Sequence, residues 1–400
     1  MAQRSTAKAA GHAPWWLVAP ALLAALVALL PLGYLVARAG SLSAVLEVLA
    51  TTSTARLAAR SLLLTGLVTC LATALGVAAA WLVSRTDLRG RRAWLIALVL
   101  PLAVPSYIGA FVWVQSVPAL AGLSGAVLVL TLATYPFVLL PVVAALQRLD
   151  PALEEVAASL GRGRAAVAWQ VTLRQVRPSI LAGALLVALY VLSDFGAVAI
   201  LRYEVFTWAI YGAYRSGYDP TRAAVLALLL VALAAVLVAW EARARGRASA
   251  RIGSGVARSG RVVALGRWRG PAMLGLTAIV AAGIGVPAVT LVRWVLTGTA
   301  DGRDAGAFGA ALAASVWLSV LAAVACVLLA VPVGVLAARW PSRGVAVVER
   351  STFVGHALPG IVVAIAMVFV GVRLLRPVYQ EVPLLVLGYV VLFLPLAVGA

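Results

Sequence analysis

Apolar residues come in runs long enough to cross a bilayer, with short polar stretches between them. About 20 consecutive apolar residues, wound as a helix, span the hydrocarbon core. Such runs occupy 15–37, 61–83, 94–115, 123–146, 180–201, 222–240, 271–296, 311–338, 352–372 and 382–400, which predicts ten transmembrane helices. The period-two alternation of a membrane barrel strand is absent from them. Backbone groups in lipid must then be satisfied within helices, so the predicted class is an all-α polytopic membrane protein. No small-residue cleavage site follows the first run, which reads as a retained anchor.

One stretch breaks this pattern: "LEEVAASLGRGRAAVAWQVTLRQVRPS", Leu153–Ser179. Asp150 is a good N-cap residue and Pro151 suits the first helical position. Glu154 and Glu155 lie near the first turn, where the helix dipole favours acids. Leu153, Val156, Ala157 and Leu160 recur at helical spacing and predict one apolar stripe. Gly161 is placed to end that helix in the left-handed conformation. A second helix is expected over about 165–175, carrying Val167, Val171 and Leu173, with Pro178 marking the step into the next span. Two readings fit. Arg162, Arg164, Arg174 and Arg177 suit a helix lying on the bilayer surface. The stripe, however, is short and holds alanines, and each buried methylene is worth only about 0.8 kcal/mol. A helix of that kind also suits a groove on a partner protein, with Glu155 making a polar contact at the rim.

The runs repeat. Moving Ser61 onto Ser315 brings Leu64 onto Leu318 and Arg85, Arg89 and Gly90 onto Arg339, Arg343 and Gly344. The same register carries Pro105 onto Pro359, Tyr135 onto Tyr389 and Pro141 onto Pro395. Polar, proline and tyrosine coincidences in one register mark an internal repeat. An even number of spans separates the copies, so the halves are parallel rather than inverted. The organisation expected is a first half over 1–240, a basic, Gly- and Ser-containing linker over 241–270, and a second half over 271–400. Ala400 aligns with Leu146, so the counterpart of Leu153–Ser179 is expected beyond the last residue, and the second half reads as incomplete.

Composition agrees with the spans and narrows the chemistry. The chain is 64% hydrophobic with a mean hydropathy of +1.06, and only 11% of its 400 residues are charged. A soluble domain carries about 25%. The net charge of +19 is distributed by topology. With a cytoplasmic N-terminus, 22 of the 32 basic residues fall on the cytoplasmic side, the positive-inside bias. The excess therefore orients the chain and attracts anionic lipid headgroups; it does not point to nucleic acid. Cys70 and Cys326 fall inside spans, form no CxxC motif, and read as small core residues. His12 and His356 are too far apart for metal-site spacing. No nucleophile–base set or phosphate-binding loop is present, so neither catalysis nor a bound cofactor is expected.

Within Leu153–Ser179, Glu155-Val156-Ala157, Gly161 and Val171-Thr172-Leu173 resemble the EAA loop of ABC importer permeases, roughly E-A-A-x3-G-x9-I-x-L-P. Val156 replaces the first Ala, and Arg174 stands where the family has Pro. Ser193–Tyr214, with Asp194-Phe195-Gly196 and Phe206-Thr207-Trp208-Ala209-Ile210-Tyr211, resembles the segment after that loop in the ferric-iron branch of fused permeases. The resemblance implies a type I importer permease fold, with two halves forming the pathway and two more spans after residue 400. It implies an ATPase subunit docked at Glu155, Ala157, Leu160, Gly161 and Leu173 and using ATP outside this chain. An extracytoplasmic binding protein would deliver cargo, and the location would be a bacterial cytoplasmic membrane. Ferric iron is the cargo implied; related branches carry thiamine, polyamines or phosphonates. The chain has no cage for a hard trivalent cation, so selectivity is expected in the binding protein.

Asp194, read near the inner half of span five, is either a pathway residue with Phe195 and Gly196 or a cap at a helix break. A rival class is an ion-coupled secondary transporter, which would need coupling acids or broken helices at matched positions of both halves. A structural scaffold would leave the Glu155-to-Gly161 pattern without a purpose.

Overall fold

A computed structural model describes residues 13–150, 152–215, 219–245, 262–298 and 305–399. The described chain is helical almost throughout, apart from one isolated bridge between Thr86 and Val263. In chain order the helices are α1 Trp15–Ala39, α2 Leu42–Ala50, α3 Thr52–Arg85, α4 Arg91–Val99, α5 Ser106–Ser116, α6 Leu123–Thr134 and α7 Pro136–Arg148. There follow α8 Ala152–Ser159, α9 Arg164–Val167, α10 Leu173–Ser193, α11 Gly196–Ile200, α12 Phe206–Arg215 and α13 Pro220–Arg245. The last are α14 Arg269–Val280, α15 Val286–Leu296, α16 Ala305–Arg339, α17 Arg343–Thr352, α18 Gly360–Arg373 and α19 Val382–Gly399. Among the described residues, eight helical stretches are long and apolar enough to cross a membrane, and up to ten if each of two bent pairs counts as one span.

Two of the ten expected spans are such bent pairs. The run 94–115 divides between Arg91–Ala103 and Ser106–Ser116, bent by 89°, and the run 352–372 between Arg343–Gly355 and Gly360–Arg373, bent by 104°. The break has the same cause in both. Proline disfavours helical backbone in the residue before it. Val104 before Pro105 and Leu358 before Pro359 are both extended, at φ −94°, ψ 114° and φ −89°, ψ 123°. These are repeat-related prolines, so the repeat carries the bend as well as the apolar run.

Two compact units emerge from the packing. One draws on 1–55, 209–232 and 301–400. Within it α1 lies along α16, and α16 along α19. Tyr34 of α1 stacks on Phe369 of α18 with ring centroids 4.3 Å apart. Val316, Trp317, Val320, Val324, Val327 and Val331 of α16 are exposed. That apolar face suits lipid, which solvates side chains but not backbone.

The other unit draws on 56–208 and 233–300. Its core gathers Leu64, Val68, Leu98, Leu130, Tyr135, Val138, Val187 and Val198. Tyr135 is fully buried and donates its hydroxyl to the Leu98 carbonyl at 2.6 Å, which removes the cost of an unpaired phenol. α7 runs along α10, and at Gly183 an added Cβ would stand 2.7 Å from the Cα of Val138. Of the two cysteines, Cys326 is buried as expected, but Cys70 lies exposed on α3.

Candidate functional site

The polar stretch begins with a capped helix. The Asp150 carboxylate accepts from the Ala152 amide at 3.0 Å. Pro151, read as the first helical residue, lies outside the described residues. At the other end the Gly161 amide donates to Ala158 at 3.0 Å and the Arg162 amide to Ala157 at 3.2 Å. This paired closure needs a left-handed residue, and Gly161 supplies it at φ +79°.

α8 has two sides. Leu153, Val156 and Leu160 are exposed, Leu160 to 76%. Ala157, expected in the same stripe, is instead buried. A helix turns 100° per residue, so Ala157 lies on the flank of the stripe away from Val156, and that flank faces the chain itself. Glu155 is exposed. Glu154, one step on, faces inward with Ala157.

Glu154 is where the loop is fastened. Nη2 of Arg85, the last residue of α3, stands 3.1 Å from Oε1 of Glu154, and Nη1 donates to Oε2 at 3.2 Å. Oε1 also accepts from the Thr172 hydroxyl at 2.8 Å. The Arg85 side chain is 4% exposed and that of Glu154 13%. One charge-assisted hydrogen bond and a close ion-pair contact, from the two ends of a planar guanidinium to the two oxygens of one carboxylate, fix direction as well as distance. Sequence reasoning missed Arg85 and Thr172 as partners. The available signal was Arg85 itself, recurring in the repeat at the end of a long span.

The second helix of the loop is not separate. α9, a π-helical turn over Ala168–Thr172 and α10 form one continuous rod from Arg164 to Ser193. Pro178 sits inside it rather than at its start, where its missing N–H costs one helix bond without ending the helix. Leu173 is half-buried against the core. Trp169 is 76% exposed, and Gln170 accepts a hydrogen bond from Arg162.

Part of the expected linker over 241–270 is described. Residues 246–261 lie outside the described residues, but 262–269 are laid against the turn after α3. The Val263 amide donates to the Arg85 carbonyl at 2.8 Å, and the Asp87 amide to Val263 at 3.1 Å. The Asp87 carboxylate accepts from the Leu265 amide at 2.9 Å and pairs with Arg269. These bonds, the Leu265 amide first, hold the Asp87 carboxyl below its ordinary pKa.

At the far end of α10 the helix stops at Ser193, and Asp194 follows in extended conformation. Asp194 thus lies at the end of the rod opposite the loop, not in the inner half of a span reaching residue 201. Both its carboxylate oxygens are engaged, one by the Ala197 amide at 3.0 Å and the other by the Ser106 hydroxyl. Its carbonyl accepts from Thr207 at 2.7 Å. Ser106 opens α5 at the Pro105 break, so Asp194 ties one helix break to another. Phe195 is half-buried, and an added Cβ on Gly196 would stand 2.8 Å from that of Tyr107. Nearby, Glu204 pairs with Arg60 at 2.9 Å on the surface.

Apolar spans, repeated bent helices and a short exposed helix tied to a span end fit a polytopic membrane transporter. Matched breaks alone would also suit an ion-coupled carrier, so family membership decides between the two. The chain belongs to the family of binding-protein-dependent transport system inner membrane components, the permeases of ABC importers, whose profile matches residues 72–244. It is 32% identical over 390 residues to the Fe(3+)-transport system permease protein FbpB 2 of Haemophilus influenzae, covering 96% of this chain and 77% of that one. It is 32% identical over 197 residues to a probable molybdenum ABC transporter permease of Haloferax volcanii, covering 45% of this chain and 72% of that one. A sulfate transport system permease protein of Synechocystis is 28% identical over 183 residues, covering 40% and 66% respectively.

Proposed function

We propose that α8 and the start of the α9–α10 rod dock a separate ATPase subunit, and that this chain carries the ATPase's movement into the spans. The observation that carries the reading is the exposed face of Leu153, Val156 and Leu160 on a helix whose opposite side is locked to Arg85. Glu155 stands beside that face, Gly161 closes the helix behind it, and Ala157 and Leu173 seat it on the chain. ATP is bound and hydrolysed by the partner, and this chain holds no cofactor of its own. The charge asymmetry supports a cytoplasmic N-terminus, with the loop on the same side of a bacterial inner membrane. Each repeat half, 1–240 and 271–400, contributes spans to the pathway, with 241–270 joining them. Asp194, Phe195 and Gly196 act on the pathway through the helix break they shape. An extracytoplasmic binding protein supplies the cargo. Ferric iron is supported by the relative that matches nearly the whole chain and is named for Fe(3+) transport.

Native mass spectrometry of the detergent-purified chain from its own host tests the docking. ATPase is expected to co-purify, and Leu160→Glu is expected to weaken its retention by about tenfold or more, as for a buried interface anchor. Equal retention by that variant, or no ATPase on the wild type, would leave the loop as a membrane-surface feature. Uptake of molybdate or sulfate in place of ferric iron by the reconstituted system would overturn the cargo.

A further inference from the structure

We infer that Arg85 is a positioning residue for coupling: its pair with Glu154, closed by Thr172, makes α8 move as one body with the end of α3, and the 262–269 strap holds that joint. The inference rests on the docking reading above and adds the part that transmits. An eight-residue helix cannot hold itself in water, because helix nucleation is costly and few bonds repay it. α8 turns its larger apolar residues outward, so apolar burial on its inner side is limited to Ala157. The Glu154 carboxylate is therefore its firm attachment.

The form of that attachment is informative. Arg85 is at the last turn of a 34-residue helix, and its Nη2 also leans toward the Leu146 carbonyl at 3.5 Å, near the end of α7. One guanidinium thus faces the ends of α3 and α7 and the start of α8, and Thr172 brings in the rod that becomes α10. Replacing a buried ion pair by apolar residues is often neutral for stability. What such a replacement loses is direction. A planar fork transmits a rotation that a greasy contact would let slip. The strap acts on the same residue, since the Val263 amide holds the carbonyl of Arg85 and Asp87 is clasped by Leu265 and Arg269. The segment joining the two repeat halves so ends as a brace on the coupling joint.

The test uses the full complex in proteoliposomes, with its ATPase and with ferric iron loaded on the cognate binding protein. The readout is ATP hydrolysed per ion imported, beside ATPase retention by native mass spectrometry. Glu154→Gln and the paired replacement Arg85→Met with Glu154→Leu are expected to retain ATPase while that ratio rises about tenfold or more. Arg85→Lys, which keeps the charge and loses the fork, should raise it less. The exchanged pair Arg85→Glu with Glu154→Arg should recover part of the loss, as directly interacting residues do. Asp87→Asn with Arg269→Gln should raise the ratio in the same direction. Thr172→Val, a nearly isosteric change, covers the case in which the paired variant fails to insert. An unchanged ratio in both Glu154→Gln and Thr172→Val, with ATPase still bound, overturns the inference and leaves the docking reading standing. Absence of ATPase from the wild-type complex overturns both.

Discussion

Glu154 and Glu155 are neighbours in sequence and meet different surroundings. One helical step of 100° puts Glu155 in solvent beside the exposed face and Glu154 against Arg85. The motif spacing to Gly161 singles out Glu155, and nothing local distinguishes the role of Glu154, because its partners lie 69 and 18 residues away. Gly161 is the opposite case. Its left-handed backbone is a local requirement, worth about 1–2 kcal/mol against any residue with a Cβ, and was legible from composition and position alone. Asp87 adds a testable pH dependence. Its carboxyl is held below the ordinary value by the Leu265 amide and then by Arg269. A lowered folded-state pKa stabilises the strap above the unfolded value and loses that contribution as pH falls through the folded one. Hydrogen exchange at the 263–265 amides, corrected for intrinsic rates, should stay constant from about pH 7 to 5 and rise only below about pH 4. A rise between pH 6 and 5 would mean that another group holds the strap.

Elements were legible wherever a helix carries its own signature. The expected spans agree with the observed helices to within a few residues at most ends, since apolar length is a local property. The exceptions have specific causes. The run 94–115 is apolar throughout, yet Pro105 and its extended predecessor bend it by 89°. The second helix of the loop, expected over about 165–175 with a step into the next span at Pro178, instead continues into α10 through a π turn. Charge says where a helix leaves lipid and not where it stops. The break at Asp194 is set by side-chain contacts, and its prediction follows from them. Asp194→Asn keeps an acceptor for the Ala197 amide and a polar partner for Ser106, so transport should stay within about twofold of wild type. Asp194→Leu strands both donors, at about 1–3 kcal/mol each, and should lower thermal stability and yield together with uptake. Loss of transport in a stably folded Asp194→Asn protein would mean that the charge itself meets the cargo.

For the whole molecule, membership in a binding-protein-dependent importer family sets the energy source that is expected. Uptake in reconstituted vesicles should cease when ATP is depleted and persist when the ion gradient is collapsed by ionophore; the reverse result would favour the ion-coupled carrier that matched helix breaks also suit. Much of this class assignment was available before any fold was seen. Apolar length determined the spans, basic residues their expected orientation, and coincident prolines, tyrosines and arginines the repeat. These follow from one-dimensional properties, because transfer into lipid depends on a segment's own composition. The tertiary structure alone decided which residues meet across distance. α1 lies with α16, roughly three quarters of the chain length away in sequence, and Arg85 reaches Glu154 while Val263 returns to Arg85. Hydrogen bonds and ion pairs need atoms within about 3 Å and in line, and a sequence pattern carries no such distance between residues remote along the chain.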